Sequence, residues 1–448
     1  MYPPARHRRS ARLAVLLLAL LALLPAPRAA TNFIAGADMS LLPFFESNGV
    51  AYKSNGQIQD ALAILKTCGV NCVRLRLFTS SAAQAQADPY DYINNLAYTV
   101  PLAVRVKQAG LQFLLDFHCS DTWADPSHQA IPDAWTNLDF PQLVQQMRAY
   151  TSNSIAAFIA AGAAPDYVQV GNEITGGMLW PDGAVPGDNA GVQWSQLAQL
   201  LNAGIQGIRD AAGLNMPKII IHIDRGGDWP TTQWFFDNLI QTQHVQFDII
   251  GESYYPFWHG PLSALSNCLA NAASRYGKPV LVAETAFPWT NSYWTTNIYG
   301  IPGTTNGQVQ YLVALAQTVR NVPNGLAAGV FWWGTEYQAV RFVNEAGFNT
   351  TSFFGPNGNV LPAASALGQM AAPLALSASL TPSGLEMRWP LSGAGSTLNS
   401  TTILSPASTW TPVNSSVQTT GTTFQTTLPL DAGAAHFYRL QSSVVSQK

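Results

Sequence analysis

Eight short apolar runs, separated by stretches of helical spacing or long polar loops, constrain the fold more than any other feature. They are Phe33–Asp38, Cys72–Leu77, Leu111–Phe117, Tyr167–Glu173, Ile219–Ile223, Phe247–Gly251, Pro279–Glu284 and Gly329–Trp333. Runs this short, rich in Val, Ile and Leu and without strict alternation, read as parallel strands buried on both faces. Between them, Gln57–Thr67 has helical spacing (Ile58, Leu62, Ile64, Leu65), with Gly69 as its stop. Leu102–Ala109 and Leu197–Ala211 read as further helices. Strands alternating with helices over roughly 340 residues predict an α/β fold, a (β/α)8 TIM-type barrel with long loops. An open doubly wound sheet would call for a glycine-rich phosphate loop after the first strand, and Gly36-Ala37-Asp38 is not one.

Both ends of the chain have a different texture. Arg6, Arg8, Arg9 and Arg12 precede the apolar run Leu13–Leu24, which is too short to span a bilayer and has the layout of a secretory signal. Residues 1–30 are therefore expected to be a signal peptide and 31–372 the barrel. From 373 to 448 charge is sparse, Ser and Thr are abundant, and short alternating runs appear, as in Leu385–Trp389 and His436–Leu440. These predict a small all-β, sandwich-like module. A disordered tail is the alternative, but Trp389, Trp410, Phe424, Phe437 and Tyr438 supply more core-type residues than disorder allows.

With a formal net charge of −3 and 10% charged residues, nothing argues for nucleic acid or an anionic membrane as a partner and neither is expected, and no later run reaches membrane length. A monomer located outside the cell or in the periplasm is expected. Cys68, Cys72, Cys119 and Cys268 do not make a disulfide framework, and no second Cys or His pair follows at zinc spacing, so no metal and no cofactor is expected.

The chemistry is carried by two glutamates, Glu173 and Glu284, each ending a Val-rich run. A carboxylate at the carboxyl end of a barrel strand stands where such folds build their active sites. Two of them, distant in sequence, supply an acid and a nucleophile for breaking a glycosidic bond. Asn172, beside Glu173, has an amide able to donate to a sugar 2-hydroxyl. Arg74 and Arg76, two apart, share one strand face, and one of them is expected to keep Glu284 ionised. Glu252 ends strand six and ranks below the pair because it lacks a neighbour like Asn172. A salt-bridged strand end is the bland reading for a single glutamate; for both together it is harder to sustain.

Residues from about Phe33 to Leu367 resemble the family 53 glycoside hydrolases, the arabinogalactan endo-β-1,4-galactanases. The resemblance rests on Gly36–Ser40, Val73–Arg76, Leu115–Pro126, Val168–Glu173, Gly177–Pro181, Gly226–Asp228, Ser253–Gly260 and Ala283–Trp289. It implies a retaining mechanism with Glu173 as acid/base and Glu284 as nucleophile, acting on β-1,4-galactan of pectin side chains. It also implies that Arg74 or Arg76, His118, Asn172, Tyr254 and Tyr255 surround the cleaved sugar. Trp123, Trp180, Trp258, His259, Trp289 and Trp332 are the expected cleft lining, with core packing the alternative for each Trp. The chain departs from the pattern at Cys119, at Arg225 and over Trp332–Tyr337. Some bacterial members bind calcium after strand seven, but residues 290–300 contain no Asp or Glu, so no such site is expected. The rival readings are an endo-glycanase for mannan, xylan or glucan, and an inactive carbohydrate-binding barrel.

Overall fold

The computed structural model describes residues 33–185, 191–291, 297–341, 343, 346–430 and 435–442. The expected signal at 1–30 and part of the loop without acidic residues, 292–296, lie outside them. Strands β1 (Ile34–Asp38), β2 (Cys72–Leu77), β3 (Gln112–Phe117), β4 (Tyr167–Val170), β5 (Lys218–Ile223), β6 (Ile249–Ser253), β7 (Val280–Thr285) and β8 (Ala327–Trp332) form a closed parallel barrel. The helices after them are α1 (Ala61–Thr67), α2 (Leu96–Gln108), α3 (Phe140–Ala160), α4 (Gly191–Ala212), α5 (Trp229–Phe236), α6 (Leu262–Tyr276), α7 (Thr305–Arg320) and α8 (Pro362–Gln369).

Element boundaries differ from the sequence reading where local chemistry outweighs periodicity. Helix α1 starts at Ala61 rather than Gln57, because the Asp60 side chain caps it by accepting from the Ala63 N–H. Gln57-Ile58 instead pairs with Lys53-Ser54 in a short antiparallel ribbon. Helix α2 begins at Leu96, capped by Asn95, and carries Pro101 inside it, where a proline reads as a break. Strand β6 lies two residues later than expected, which brings Ser253 into the barrel wall.

Period-two alternation divides the barrel interior into layers. Ile34, Cys72, Leu114, Ile220, Ile249, Leu281, Ala283 and Phe331 form an apolar floor. Gly36 admits the Phe331 ring, since a Cβ there would lie 2.2 Å from it. Two residues further along the strands the inward positions turn polar: Arg74, Asp116 and His222 follow Cys72, Leu114 and Ile220, all fully buried. This polar layer is the base of the site.

Beyond α8, strands β9 (Ser377–Thr381), β10 (Gly384–Pro390), β11 (Ser396–Thr401), β12 (Thr411–Pro412), β13 (Gln418–Thr420), β14 (Thr423–Leu428) and β15 (Phe437–Ser442) build two antiparallel sheets. Their orders are β9-β10-β14-β13 and β12-β11-β15. Trp389 and Phe424 meet in their core with ring centroids 6.0 Å apart. The turn Leu391–Gly393 packs on α7 and α8, joining the sheets to the barrel. Trp410 is only partly buried, with the Arg439 guanidinium 4.3 Å above its ring. All four cysteines are free thiols. No helix among the described residues is long and apolar enough to cross a membrane.

Candidate active site

Local backbone irregularities aim both glutamates into the barrel mouth. Glu173 lies three residues beyond β4, and its left-handed backbone (φ 49°, ψ 47°) turns its side chain away from the strand direction. Such a conformation costs a non-glycine residue about 1–3 kcal/mol and persists where surrounding contacts enforce it. Glu284 lies within β7. Register runs from Glu252 opposite Val282 to Ser253 opposite Glu284, so Ala283 is an extra residue that re-aims the strand end. The result brings oxygens of Glu173 and Glu284 and a ring nitrogen of His222 within 4.8 Å of one another.

The two carboxyls have different partners. Glu284, 5% exposed, has Oε1 2.8 Å from Arg74 Nη1. Its Oε2 accepts from the Tyr255 hydroxyl at 2.9 Å. Burial leaves its proton affinity above the usual carboxylate value, while Arg74 and then Tyr255 limit that rise by favouring the carboxylate. Glu173 accepts from the Ser253 hydroxyl on Oε1 at 2.6 Å. Burial, then Glu284, then Asp224 push its proton affinity well above the usual carboxylate range. One carboxyl is thus biased towards protonation and the other is held by a cation, the division of roles an acid–nucleophile pair requires.

Of the two arginines left open by the sequence, Arg74 holds Glu284. Its guanidinium also contacts Asp116 Oδ2 at 2.7 Å, Asp38 Oδ2 at 3.3 Å and Asn172 Oδ1 at 2.8 Å. Arg76 donates to Asp38 Oδ1 at 3.3 Å and lies between two indoles, 4.2 Å from the Trp123 centroid and 4.8 Å from that of Trp333. It shapes the wall from behind. Because Arg74 fixes Oδ1 of Asn172, the Asn172 Nδ2 faces the other way and donates to the Ala124 carbonyl at 2.8 Å. One N–H of that amide remains for a substrate hydroxyl.

The cleft above the pair has a volume of about 520 Å³, and Trp123, Asn172, Tyr255, Trp258 and His259 line it together with the two glutamates. Other expected residues lie elsewhere. Trp332 is fully buried behind β8, stacked on Phe353 at 4.7 Å, and its place in the cleft is taken by Trp333. Phe331 points into the barrel floor, so by alternation Trp332 faces outward and Trp333 faces back into the mouth. Tyr254 is buried and donates to the Gly260 carbonyl at 2.7 Å, bracing the loop rather than facing the cleft. His118 lies beneath the lining, accepting from Ala124 N–H through Nδ1 at 2.9 Å, with Nε2 3.1 Å from Asp116. Trp180 and Trp289 are both absent from the lining. Their indole N–H groups donate to Gly176 and Asn349 carbonyls, which anchors them in loops outside it.

Sequence reasoning did not single out Ser253, His222, Asp116, Asp38 or Asp224. Each is a polar residue near the carboxyl end of an apolar strand, a position the sequence shows without the cross-barrel partners that give it a role. Glu252 is resolved by the same alternation. It points out of the barrel and accepts from Thr232 of α5 at 3.1 Å. Cys119 is buried beside Met147 and does not line the cleft. Arg225 stands at the rim, 3.7 Å from Asp224.

Glu173, His222 and Glu284 are the described residues whose spacing would suit a metal ion. Their donors are already engaged: His222 Nε2 is 2.9 Å from Ser253 Oγ, and Arg74 supplies a positive charge to Glu284. The trio reads as a hydrogen-bonded network.

A closed (β/α)8 barrel whose fourth and seventh strands present two unlike carboxyls under an aromatic cleft defines a glycosidase. The sequence profile of glycosyl hydrolase family 53 matches residues 34–367, and the chain belongs to that family. It is 39% identical over 329 residues, 71% of this chain and 89% of the relative, to a probable arabinogalactan endo-β-1,4-galactanase A of Aspergillus terreus. The family 53 catalytic domain of Ignisphaera aggregans superimposes with a TM-score of 0.68 at 33% identity, covering 78% of this chain and 99% of that one. A fungal β-1,4-galactanase gives 0.67 at 34% identity, covering 76% and 100%. The family match stops before β9, leaving both C-terminal sheets outside it.

Proposed function

We propose that this chain is a secreted endo-β-1,4-galactanase that cleaves galactan and type I arabinogalactan with retention of anomeric configuration. The observation that carries the mechanism is the approach of Glu173 and Glu284 oxygens to within 4.8 Å. Retaining pairs lie about 5–5.5 Å apart, whereas inverting pairs need roughly 6.5–9.5 Å to admit a water. The substrate class is supported by the galactanase activity for which the Aspergillus terreus relative is named, and export by the basic-then-apolar N-terminus.

Glu284 attacks the anomeric carbon as the bond to the leaving oxygen breaks. That oxygen keeps the bond's electron pair and takes the proton from Glu173. Glu173, now ionised, removes a proton from water, which attacks the same carbon and releases Glu284. Arg74 and Tyr255 hold Glu284 in the nucleophilic form, and the N–H of Asn172 left over from Ala124 is placed to donate to the sugar as positive charge develops. Trp123, Trp258 and Trp333 supply flat apolar faces for pyranose rings.

Release of reducing ends from linear β-1,4-galactan, with mannan, xylan and mixed-linkage β-glucan in parallel, tests the substrate. Activity on galactan alone supports the reading; turnover of another glycan in preference to galactan overturns it.

A further inference from the structure

Ser253 and His222 form a chain behind Glu173 that the two-carboxylate mechanism leaves unused. Ser253 Oγ lies 2.6 Å from Glu173 Oε1 and 2.9 Å from His222 Nε2. On the far side, His222 Nδ1 is 3.0 Å from Gln169 Nε2 and 3.1 Å from Asn172 Oδ1. Ser253 and His222 are both fully buried.

The direction of the chain follows from counting donors. Asn172 Oδ1 already accepts from the charged Arg74 donor at 2.8 Å. Gln169 donates one N–H to Asp116 Oδ1 at 2.6 Å, and its second lies among His222 Nδ1 at 3.0 Å, Asn172 Oδ1 at 3.1 Å and the Gly171 carbonyl at 3.3 Å, with His222 Nδ1 the nearest. An imidazole whose Nδ1 accepts carries its proton on Nε2 and donates it to Ser253. Ser253 then has one hydrogen, and only Glu173 Oε1 remains to receive it. The opposite tautomer would draw the serine hydrogen to His222 and leave a serine lone pair against Oε1. That arrangement favours a glutamic acid proton on the wrong oxygen, turned away from the cleft.

We propose that Ser253, oriented by His222, is a positioning residue that keeps Glu173 Oε1 as a hydrogen-bond acceptor and so confines the acidic proton to Oε2, which faces the scissile oxygen. This rests on the reading of Glu173 as acid/base. It assigns to Gln169, His222 and Ser253 a single task, since each fixes the hydrogen-bond sense of the next. In the first chemical step the Oε2–H bond breaks as the leaving oxygen takes the proton, and the serine hydrogen stays in place to stabilise the carboxylate that results. The same bond serves the second step, where Oε2 receives the proton of water.

The test uses aryl β-galactobiosides with good (dinitrophenyl) and poor (methoxyphenyl) leaving groups, which need acid assistance to different degrees. Ser253→Ala should lower kcat/KM on the poor leaving group roughly 10- to 100-fold, a part of the roughly 10²–10⁴-fold that general acid assistance supplies, and change the good one by less than about threefold. Ser253→Thr, which keeps the hydroxyl, should recover most of the loss, and His222→Phe should share the leaving-group dependence of Ser253→Ala. The reading of Glu173 is checked separately by Glu173→Ala, which should show the same selectivity more strongly and be rescued by azide on the dinitrophenyl substrate. Absence of both effects in Glu173→Ala sinks the acid/base assignment itself. If Glu173→Ala behaves as expected while folded Ser253→Ala and His222→Phe lose equally on both substrates, or lose nothing, the positioning role is overturned. In the Glu173→Ala background, Ser253→Ala should have no further effect on the azide-rescued rate, and an additive loss would likewise contradict it.

Discussion

Arg74 Nη1 and Glu284 Oε1 lie 2.8 Å apart, and the same guanidinium contacts Asp38, Asp116 and Asn172. One buried cation thus orders carboxylates from β1, β3 and β7 beneath the cleft. Removing it would leave several buried anions without compensation, a loss of about 3–5 kcal/mol for breaking such a pair. Glu284 would also lose the main influence favouring its ionised form. Arg74→Met is therefore expected to lower thermal stability and to move the acidic limb of the kcat/KM–pH profile upward. Melting curves and a pH–rate series check both; an unchanged acidic limb would separate Arg74 from the ionisation of Glu284.

Glu173 illustrates the tension between stability and activity. Its proton affinity is raised in the folded state, first by burial and then by Glu284. Its contribution to stability is therefore complete below the unfolded value, about 4.3, and declines as pH rises towards the folded one. Glu173→Gln should raise stability at pH 7 relative to wild type by about 0.5–2 kcal/mol, seen as a higher melting temperature, and confer little gain at pH 4. Calorimetry at the two pH values is the check, and a destabilised variant at pH 7 would contradict it.

Glu336 is another buried carboxyl, one with no place in the proposed chemistry. Burial, then the neighbouring Asp38, raises it to about 8, and its Oε1 accepts from the Leu41 N–H at 2.7 Å. By the same sign rule its stabilising contribution is full below about 4.3 and is lost as pH rises through about 8. Stability of the wild type should fall across that window, and Glu336→Gln should flatten the fall by an amount on the order of a few kcal/mol. Denaturant titrations between pH 5 and 9 would show whether the slope depends on this residue.

Adjacent tryptophans at the end of β8 should separate packing from binding. Trp332 is fully buried and stacks on Phe353, so Trp332→Ala should cost about 3–5 kcal/mol of stability. Trp333 lines the cleft, so Trp333→Ala should chiefly raise KM for galactan. Equal effects of the two substitutions on KM would contradict the assignment.

Those two residues also mark how far the sequence could be read. The strands and both glutamates were legible because buried parallel strands are continuous apolar runs and a charge at their end stands out. Face assignment was not, because it depends on which residue of an all-apolar run points inward: Phe331 does, which turns Trp332 out and Trp333 in. Ser253 was hidden by the placement of β6 two residues too early. His222 was hidden because a single histidine in an apolar strand has no partner in its own neighbourhood; Gln169, Asn172 and Ser253 reach it only through the closed barrel. Arg74 could not be distinguished from Arg76, since both share one face and only the position of Asp116 on β3 separates their roles. The Asp60 cap shortened α1 for a local reason that the sequence did contain.

The division of labour between Glu284 and Glu173 is tested most directly by trapping. A 2-deoxy-2-fluoro-β-galactobioside with a good leaving group slows hydrolysis of a glycosyl–enzyme more than its formation. After incubation, the intact mass should rise by one fluorogalactobiosyl unit, and peptide mapping should place it on Glu284. Glu284→Gln should take up no label and lose on the order of 10⁴-fold or more in kcat on galactan. A label on any other residue, or full galactan turnover by Glu284→Gln, would contradict the account.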